Sequence, residues 1–250
     1  MVSTRQQKRD FPSPPRRSPS PPRNTTATTT TNKWVHTPST AITLWLIFSI
    51  PLVLWDSGYV LLRPHSMPGN SLHSPLWTPY ALYGTIDYIY GWPAFNARNG
   101  FTAAQTVLNL FESAGYCYYL WVVYRYGVPV SAGSAGGRGR GKRAEKAEKG
   151  VLGFLKEERI VAGRVAATAL LIAYSASVMT LGKTVLYWLN EAFSGFENIG
   201  HNDILTLIFL WIIPNGVWII FPSYNIYVMG SEIAASLENS SVKGKRSKSS

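Results

Sequence analysis

Residues 204–229 read ILTLIFLWIIPNGVWIIFPSYNIYVM, without a single Asp, Glu, Lys or Arg. An α-helix rises about 1.5 Å per residue, so roughly twenty apolar residues cross a hydrocarbon core about 30 Å thick. The stretch is long enough to span a membrane, and Asn202 or Asp203 just ahead of it suits a helix cap. Three further segments have the same character: about 39–62, 102–124 and 161–189. The third exceeds what a bilayer needs and is expected to tilt or protrude. Thr37 and Pro38 suit the start of the first, and an Asn99-Gly100 turn precedes the second. The fold class expected is an all-α membrane protein, a bundle of four transmembrane helices with disordered tails.

Bulk composition agrees. Of 250 residues 46% are hydrophobic and only 15% charged, and the net charge of +11 is segregated into three segments. Lys and Arg crowd before residue 34, between Arg138 and Arg164, and after residue 242. Basic residues stay on the cytoplasmic side of a membrane, so four spans with both termini cytoplasmic place every basic segment correctly. Asn24-Thr25-Thr26 and Asn239-Ser240-Ser241 are formal glycosylation sequons, and this orientation keeps them unmodified.

Three regions follow. Residues 1–36 form a basic Ser/Pro/Thr-rich tail too poor in apolar surface to offset the entropy of ordering. Residues 37–235 form the membrane domain, interrupted at 127–158 by a flexible Gly/Lys/Arg-rich insert. Residues 236–250 form a second basic, disordered tail. The Ser-Pro steps of the first tail suit a solvated arm near anionic headgroups, and no nucleic-acid partner is expected. Cys117 has no internal disulfide partner. The histidines are scattered without ligand spacing, so no metal is expected.

Ionisable residues within the spans are informative, because each costs about 2.5 to 3.5 kcal/mol at the centre of a helix facing lipid. Asp56, Glu112 and Lys183 must therefore face inward. Gln105, Asn109, Glu112, Tyr116 and Tyr119 recur at helical spacing on one face of the second span. Ser177, Thr180, Lys183, Thr184, Tyr187 and Glu191 do so on the third. Asp56 and Tyr59 share a face of the first, and Asn215, Trp218 and Pro222 a face of the fourth. These groups either pair as interhelical connectors, for example Lys183 with Glu112 or Asp56, or line a ligand pocket.

Several segments together resemble the EXPERA superfamily, which includes the emopamil-binding protein, a sterol Δ8-Δ7 isomerase, and the sigma-2 receptor. Pro214-Asn215-Gly216-Val217-Trp218-Ile219-Ile220-Phe221-Pro222 is similar to the family's Asn-x-x-Trp-x-x-x-Pro signature. Gly182-Lys183-Thr184-Val185-Leu186-Tyr187 and Gly195-Phe196 precede it at similar spacing. Ile50 to Asp56 resembles the segment bearing the first-helix acid, Tyr83 to Tyr90 the loop with an Asp among aromatics, and Glu112 the second-helix acid. The resemblance implies an endoplasmic reticulum membrane protein, no cofactor, a sterol or other polycyclic lipid as partner, and compatibility with a homodimer.

For catalysis the resemblance implies Glu112 as general acid, Asp56 as second acid or proton acceptor, Asn215 as orienting group, and Trp218 as a π face that stabilises a carbocation. It implies Asp87, Tyr116, Tyr119, Thr180, Lys183 and Tyr187 as substrate-binding residues. Two functions are open: isomerisation of a sterol ring double bond, and non-catalytic sterol or lipid binding of the sigma-2 receptor kind. Leu52 stands where the isomerase has His, and Lys183 where it has Asp; these positions carry the second expectation. Proximity of Lys183 to Glu112 favours binding, whereas separation favours the acid.

Overall fold

Among the described residues four long helices build the fold, and the residues that stop each one set the geometry of the next. The computed structural model describes residues 34–130 and 158–248. A short strand β1 (Val35–His36) leads through Ser39 into α1 (Thr40–Leu61). The connection that follows carries two short helices, α2 (Tyr80–Ile86) and α3 (Trp92–Asn96). Next come α4 (Phe101–Tyr126), β2 (Val128–Pro129), β3 (Arg159–Ala162) and α5 (Arg164–Phe193). The last helix begins as α6 (Ile204–Leu207), widens into one π turn (Ile208–Ile212) and continues as α7 (Ile213–Lys248). Asp203 caps its start, its carboxylate accepting the Leu205 and Thr206 N–H groups, both at 3.1 Å. The Thr206 hydroxyl, with these two N–H groups, holds the exposed Asp203 carboxyl below its ordinary pKa.

The fold is mostly helical. Among the described residues three helices, Thr40–Leu61, Arg164–Phe193 and Ile204–Ser240, are long and apolar enough to cross a membrane. Phe48, Phe111, Leu171 and Ile220 are all exposed on the outer surface. An apolar face of this kind belongs in lipid, and the protein is membrane-embedded.

Packing follows the chain. α4 lies against both α1 and α5, and α5 against α7. Small residues make the α4–α5 seam close: Ala166, Ala169, Ala173 and Ala176 are buried at spacings of three and four. α1 and α7 meet through Trp45, which stacks on Phe221 with ring centroids 4.2 Å apart and meets the Trp218 ring edge at 5.2 Å.

The bundle has two distinct ends. At one, the three strands form a small antiparallel sheet in the order β1-β3-β2, pairing Val35 with Ala162 and Val128 with Ile160. At the other, the α1–α4 connection meets the turn between α5 and α6: Tyr88 N–H donates to Asn198 O at 3.1 Å and Asn202 Nδ2 to Ile86 O at 2.7 Å. Gly91 is required there, because a Cβ on it would sit 2.2 Å from the Gly84 carbonyl oxygen.

Two expected boundaries change at the sheet and a third in α7. The third span was expected from residue 161, but Val161 pairs with His36, and the helix starts only after Gly163 turns the chain at φ 79°. Val161 is apolar because it is buried in the sheet end, not because it is helical. The first tail was expected through residue 36, yet Val35 and His36 form β1, held by partners distant in sequence. The second tail was expected disordered from 236, but α7 continues to Lys248 because no proline interrupts it there. Most of the first tail (1–33) and of the insert (131–157) lie outside the described residues.

Candidate functional site

The unequal packing of the helices leaves room. A cavity of about 460 Å³ opens between α1, the α2 segment, α5 and the start of α7. Its wall is mainly aromatic and aliphatic, with a few polar groups: Asp56 from α1, Gln105 and Asn109 from α4, Lys183 from α5 and Asn215 from α7.

The aromatic wall is built by a stack. The Tyr80 ring lies flat on Tyr59, centroids 3.7 Å apart, and Trp55, Tyr83 and Tyr90 surround it at 5.0 to 6.0 Å. Tyr59 OH donates to the Tyr90 carbonyl at 2.9 Å, tying the connection to α1. The Tyr80 hydroxyl donates to the Asp56 carboxylate, so the acid on the cavity wall has a phenol as its immediate partner. Burial pushes the Tyr80 phenol well above its ordinary pKa, which keeps it a donor. The π turn displaces Leu210 and Pro214 around the opposite wall, next to Asn215 and Trp218. Asn215 Nδ2 donates to the Trp211 carbonyl at 2.8 Å.

Of the ten residues expected at the site, Asp56, Lys183, Tyr187, Asn215 and Trp218 line this cavity. The other five do not. Glu112 is 3% exposed and sits behind the wall, its Oε2 accepting from Lys183 Nζ at 2.9 Å and from Thr180 Oγ1 at 2.8 Å. Asn109 Oδ1 also accepts from Lys183 Nζ. Tyr116 OH bonds Thr180 Oγ1 at 3.0 Å and Ser177 Oγ at 3.2 Å, extending the same network. Thr180 and Tyr116 therefore brace Glu112. Tyr119 points to the sheet end, where its hydroxyl meets His36 Nε2 at 2.9 Å.

Asp87 is also behind the wall. It is 0% exposed, and its carboxylate accepts from Tyr187 OH, from Trp211 Nε1 at 2.8 Å and from the Ile89 N–H at 3.1 Å. One side chain thus joins the α1–α4 connection to α5 and to the π turn. Burial outweighs these donors and pushes the Asp87 carboxyl up to about 6.

Sequence reasoning missed Tyr80, Tyr83 and Tyr90 as wall residues. Their signal was the three- and four-residue spacing of Tyr80, Tyr83, Asp87 and Tyr90, helical periodicity outside any span. It also placed His36 in a tail, whereas His36 Nδ1 lies 2.8 Å from Glu232 Oε2 and clasps β1 to α7. Trp34 Nε1 donates to Ser236 Oγ at 2.5 Å beside it.

Chemically, the cavity presents a carboxyl–phenol pair and two indoles, Trp55 and Trp218, to a ligand, with the Lys183 cation already engaged by Glu112. Comparison with protein-family models, with curated proteins and with solved structures finds no match for the chain.

Proposed function

We propose that the chain is a multipass protein of the endoplasmic reticulum membrane, with four spans of the EXPERA kind and both termini cytosolic, that binds a sterol or related polycyclic lipid. The observation that carries this reading is the cavity: about 460 Å³, aromatic-walled, inside an apolar bundle. Ligand pockets for molecules of drug size occupy about 300–1,000 Å³ and combine an apolar wall with a few polar groups.

Two further observations support it. α4 carries Glu112 and Arg125 and is less apolar than the helices beside it, yet it runs from the connection end to the sheet end as they do, which supports reading it as a fourth span. β1, both borders of the insert and the Glu232–Ser236 part of α7 gather at the sheet end, which supports one common side for the basic segments that continue from them. The endoplasmic reticulum assignment and the lipid class rest on the resemblance.

Binding is favoured over acid catalysis by Glu112, because Lys183 Nζ at 2.9 Å and Thr180 Oγ1 at 2.8 Å already occupy that carboxylate behind the cavity wall. Saturable binding of a tritiated sterol to the purified full chain tests the proposal. Leu52→Trp, which fills the cavity, should abolish it, and Phe111→Ala on the lipid-facing surface should not. Equal binding by the Leu52→Trp variant contradicts it.

One observation favours isomerisation as a second reading: Asp56, hydrogen-bonded to Tyr80, shares the cavity with Trp218. Asp56 in its acid form would protonate one carbon of a ring double bond, Trp218 would face the cation, and the proton lost from the neighbouring carbon would return to the carboxylate. In a strain lacking Δ8-Δ7 isomerase, this reading expects the chain to lower Δ8-sterols and Asp56→Asn to leave them accumulated. Accumulated Δ8-sterols despite good expression of the unmodified chain exclude it for that substrate.

A further inference from the structure

A second recess, of about 440 Å³, lies at the connection end, away from the aromatic cavity. Arg63, Asn96, Arg98, Asn99 and Ala103 line it, with the Val60 and Phe95 side chains as its apolar floor. Its chemistry is the reverse of the first cavity's: two guanidiniums and two amides, with no carboxylate among the lining residues.

Arg63 follows α1 directly and is half-buried. Its guanidinium donates to the Val60 carbonyl at 3.2 Å, the Ile89 carbonyl at 3.3 Å and the Thr102 hydroxyl at 2.8 Å. A guanidinium has five N–H donors in a fixed fork, so these three bonds fix its plane and leave two donors over. All three acceptors are neutral, and among the described residues neither Arg63 nor Arg98 has a carboxylate within ion-pair distance. Burial lowers the Arg63 pKa, and the nearby Tyr59, Tyr90 and Asp56 offset it only in part.

Arg98 reaches the recess from a tight turn. Its backbone is in the left-handed region at φ 55°, held by Arg98 N–H to Phe95 O at 3.0 Å and Asn99 N–H to Ala94 O at 2.9 Å. Asn99 Oδ1 accepts the Phe101 N–H at 2.9 Å, and so fixes the start of α4 beside the same recess. The site is thus held by α1, the turn and α4 together. It lies just beyond the C-terminal end of α1, a helix long and apolar enough to cross a membrane.

We infer that this recess binds a phosphate group, with Arg63 and Arg98 as its cationic ligands and Asn96 and Asn99 as neutral donors. Guanidiniums match phosphate oxygens bidentately, and a fixed fork loses little freedom on binding. The phosphate has two sources, a phospholipid headgroup and free inorganic phosphate. The inference is independent of the sterol proposal, since the two cavities share no lining residue.

The test is the thermal stability of the purified full chain in a nonionic detergent, with chloride matching the ionic strength of every sample. Dihexanoyl phosphatidylglycerol and inorganic phosphate are titrated separately. A ligand that binds only the folded chain raises Tm saturably. Saturation by the lipid at a concentration at least tenfold below that of inorganic phosphate identifies the headgroup as source, and comparable saturation identifies free phosphate.

Arg98→Asn removes the charge while keeping a residue that tolerates positive φ. It should weaken the midpoint at least fivefold, and Arg98→Lys should weaken it less. Arg63→Gln is a poorer probe because Arg63 also closes the end of α1. The inference is overturned if neither probe raises Tm beyond the chloride control, or if Arg98→Asn leaves the midpoint unchanged.

Discussion

Replacing Lys183 by Met should be among the most destabilising single changes in the bundle. Glu112 is 3% exposed, and its Oε1 has no hydrogen-bond partner among the described residues, so Oε2 carries its whole set of contacts with Lys183 and Thr180. Removing one partner of a buried pair leaves an uncompensated charge and costs about 3–5 kcal/mol. Glu112→Gln should cost less, because an amide oxygen still accepts from Thr180 while the ammonium keeps Asn109. The double variant removes both charges and should recover part of the loss.

The size of that recovery distinguishes an ion pair from an ordinary polar contact. Interhelical hydrogen bonds in a membrane bundle couple by about 0.6 kcal/mol on average and about 1.7 at most. A charge pair with a 2.9 Å contact should exceed that, at about 2–3 kcal/mol. The assay is reversible unfolding of the full chain by SDS in mixed micelles, followed by tryptophan fluorescence, for all four corners of the cycle. Additive costs, within about 0.5 kcal/mol, would refute the pairing argument and return Glu112 to candidacy as a free acid.

Other consequences are testable in the same preparation. Asp87 titrates near 6 in the folded chain against 3.8 unfolded, so the folded state holds its proton more tightly. Its contribution is therefore fully present below about pH 4 and is lost as pH rises through about 6, a change on the order of a few kcal/mol. Asp87→Asn should flatten the fall in stability between pH 4 and 6, and an unchanged slope would assign the titration elsewhere. Gly91→Ala must displace the Gly84 carbonyl and should cost about 1–3 kcal/mol by the same unfolding assay, so a neutral result would contradict the close approach. Expressed in microsomes, the chain should carry no glycan at Asn24 or Asn239, whereas a sequon engineered into the turn between α5 and α6 should be modified. Glycan on either native site would reverse the orientation.

The helices were legible because lipid demands long, uncharged, fully hydrogen-bonded segments, and the run from Ile204 to Met229 satisfies no other environment. The inward faces were legible too: helical spacing put Asn109, Glu112 and Tyr116 on one stripe and Thr180, Lys183 and Tyr187 on another. Periodicity fixes which face turns inward but not the depth at which facing side chains meet. Glu112 and Lys183 are one pair because α4 and α5 close tightly along alanines, and that closure leaves the open space to Asp56 and Trp218. The sheet was hidden for a different reason. Val161 is as apolar as a helix residue would be, and its strand partner, His36, stands 125 residues earlier in the chain. His36 gave no local sign of Glu232, a partner 196 residues away. The π turn interrupts a sequence that reads as uniform helix, and nothing in its composition marks the extra residue.

Site-mapped photolabelling tests the central claim most directly. A photoreactive sterol, crosslinked to the full chain in native-like membranes and located by peptide mass spectrometry, should label residues of the cavity wall, such as Tyr80, Tyr83 and Trp218. Excess unlabelled sterol should compete the label away, and Leu52→Trp should remove it. Label confined to the lipid-facing surfaces around Phe48, Phe111 and Ile220, undiminished by competitor or by Leu52→Trp, would contradict an internal lipid site.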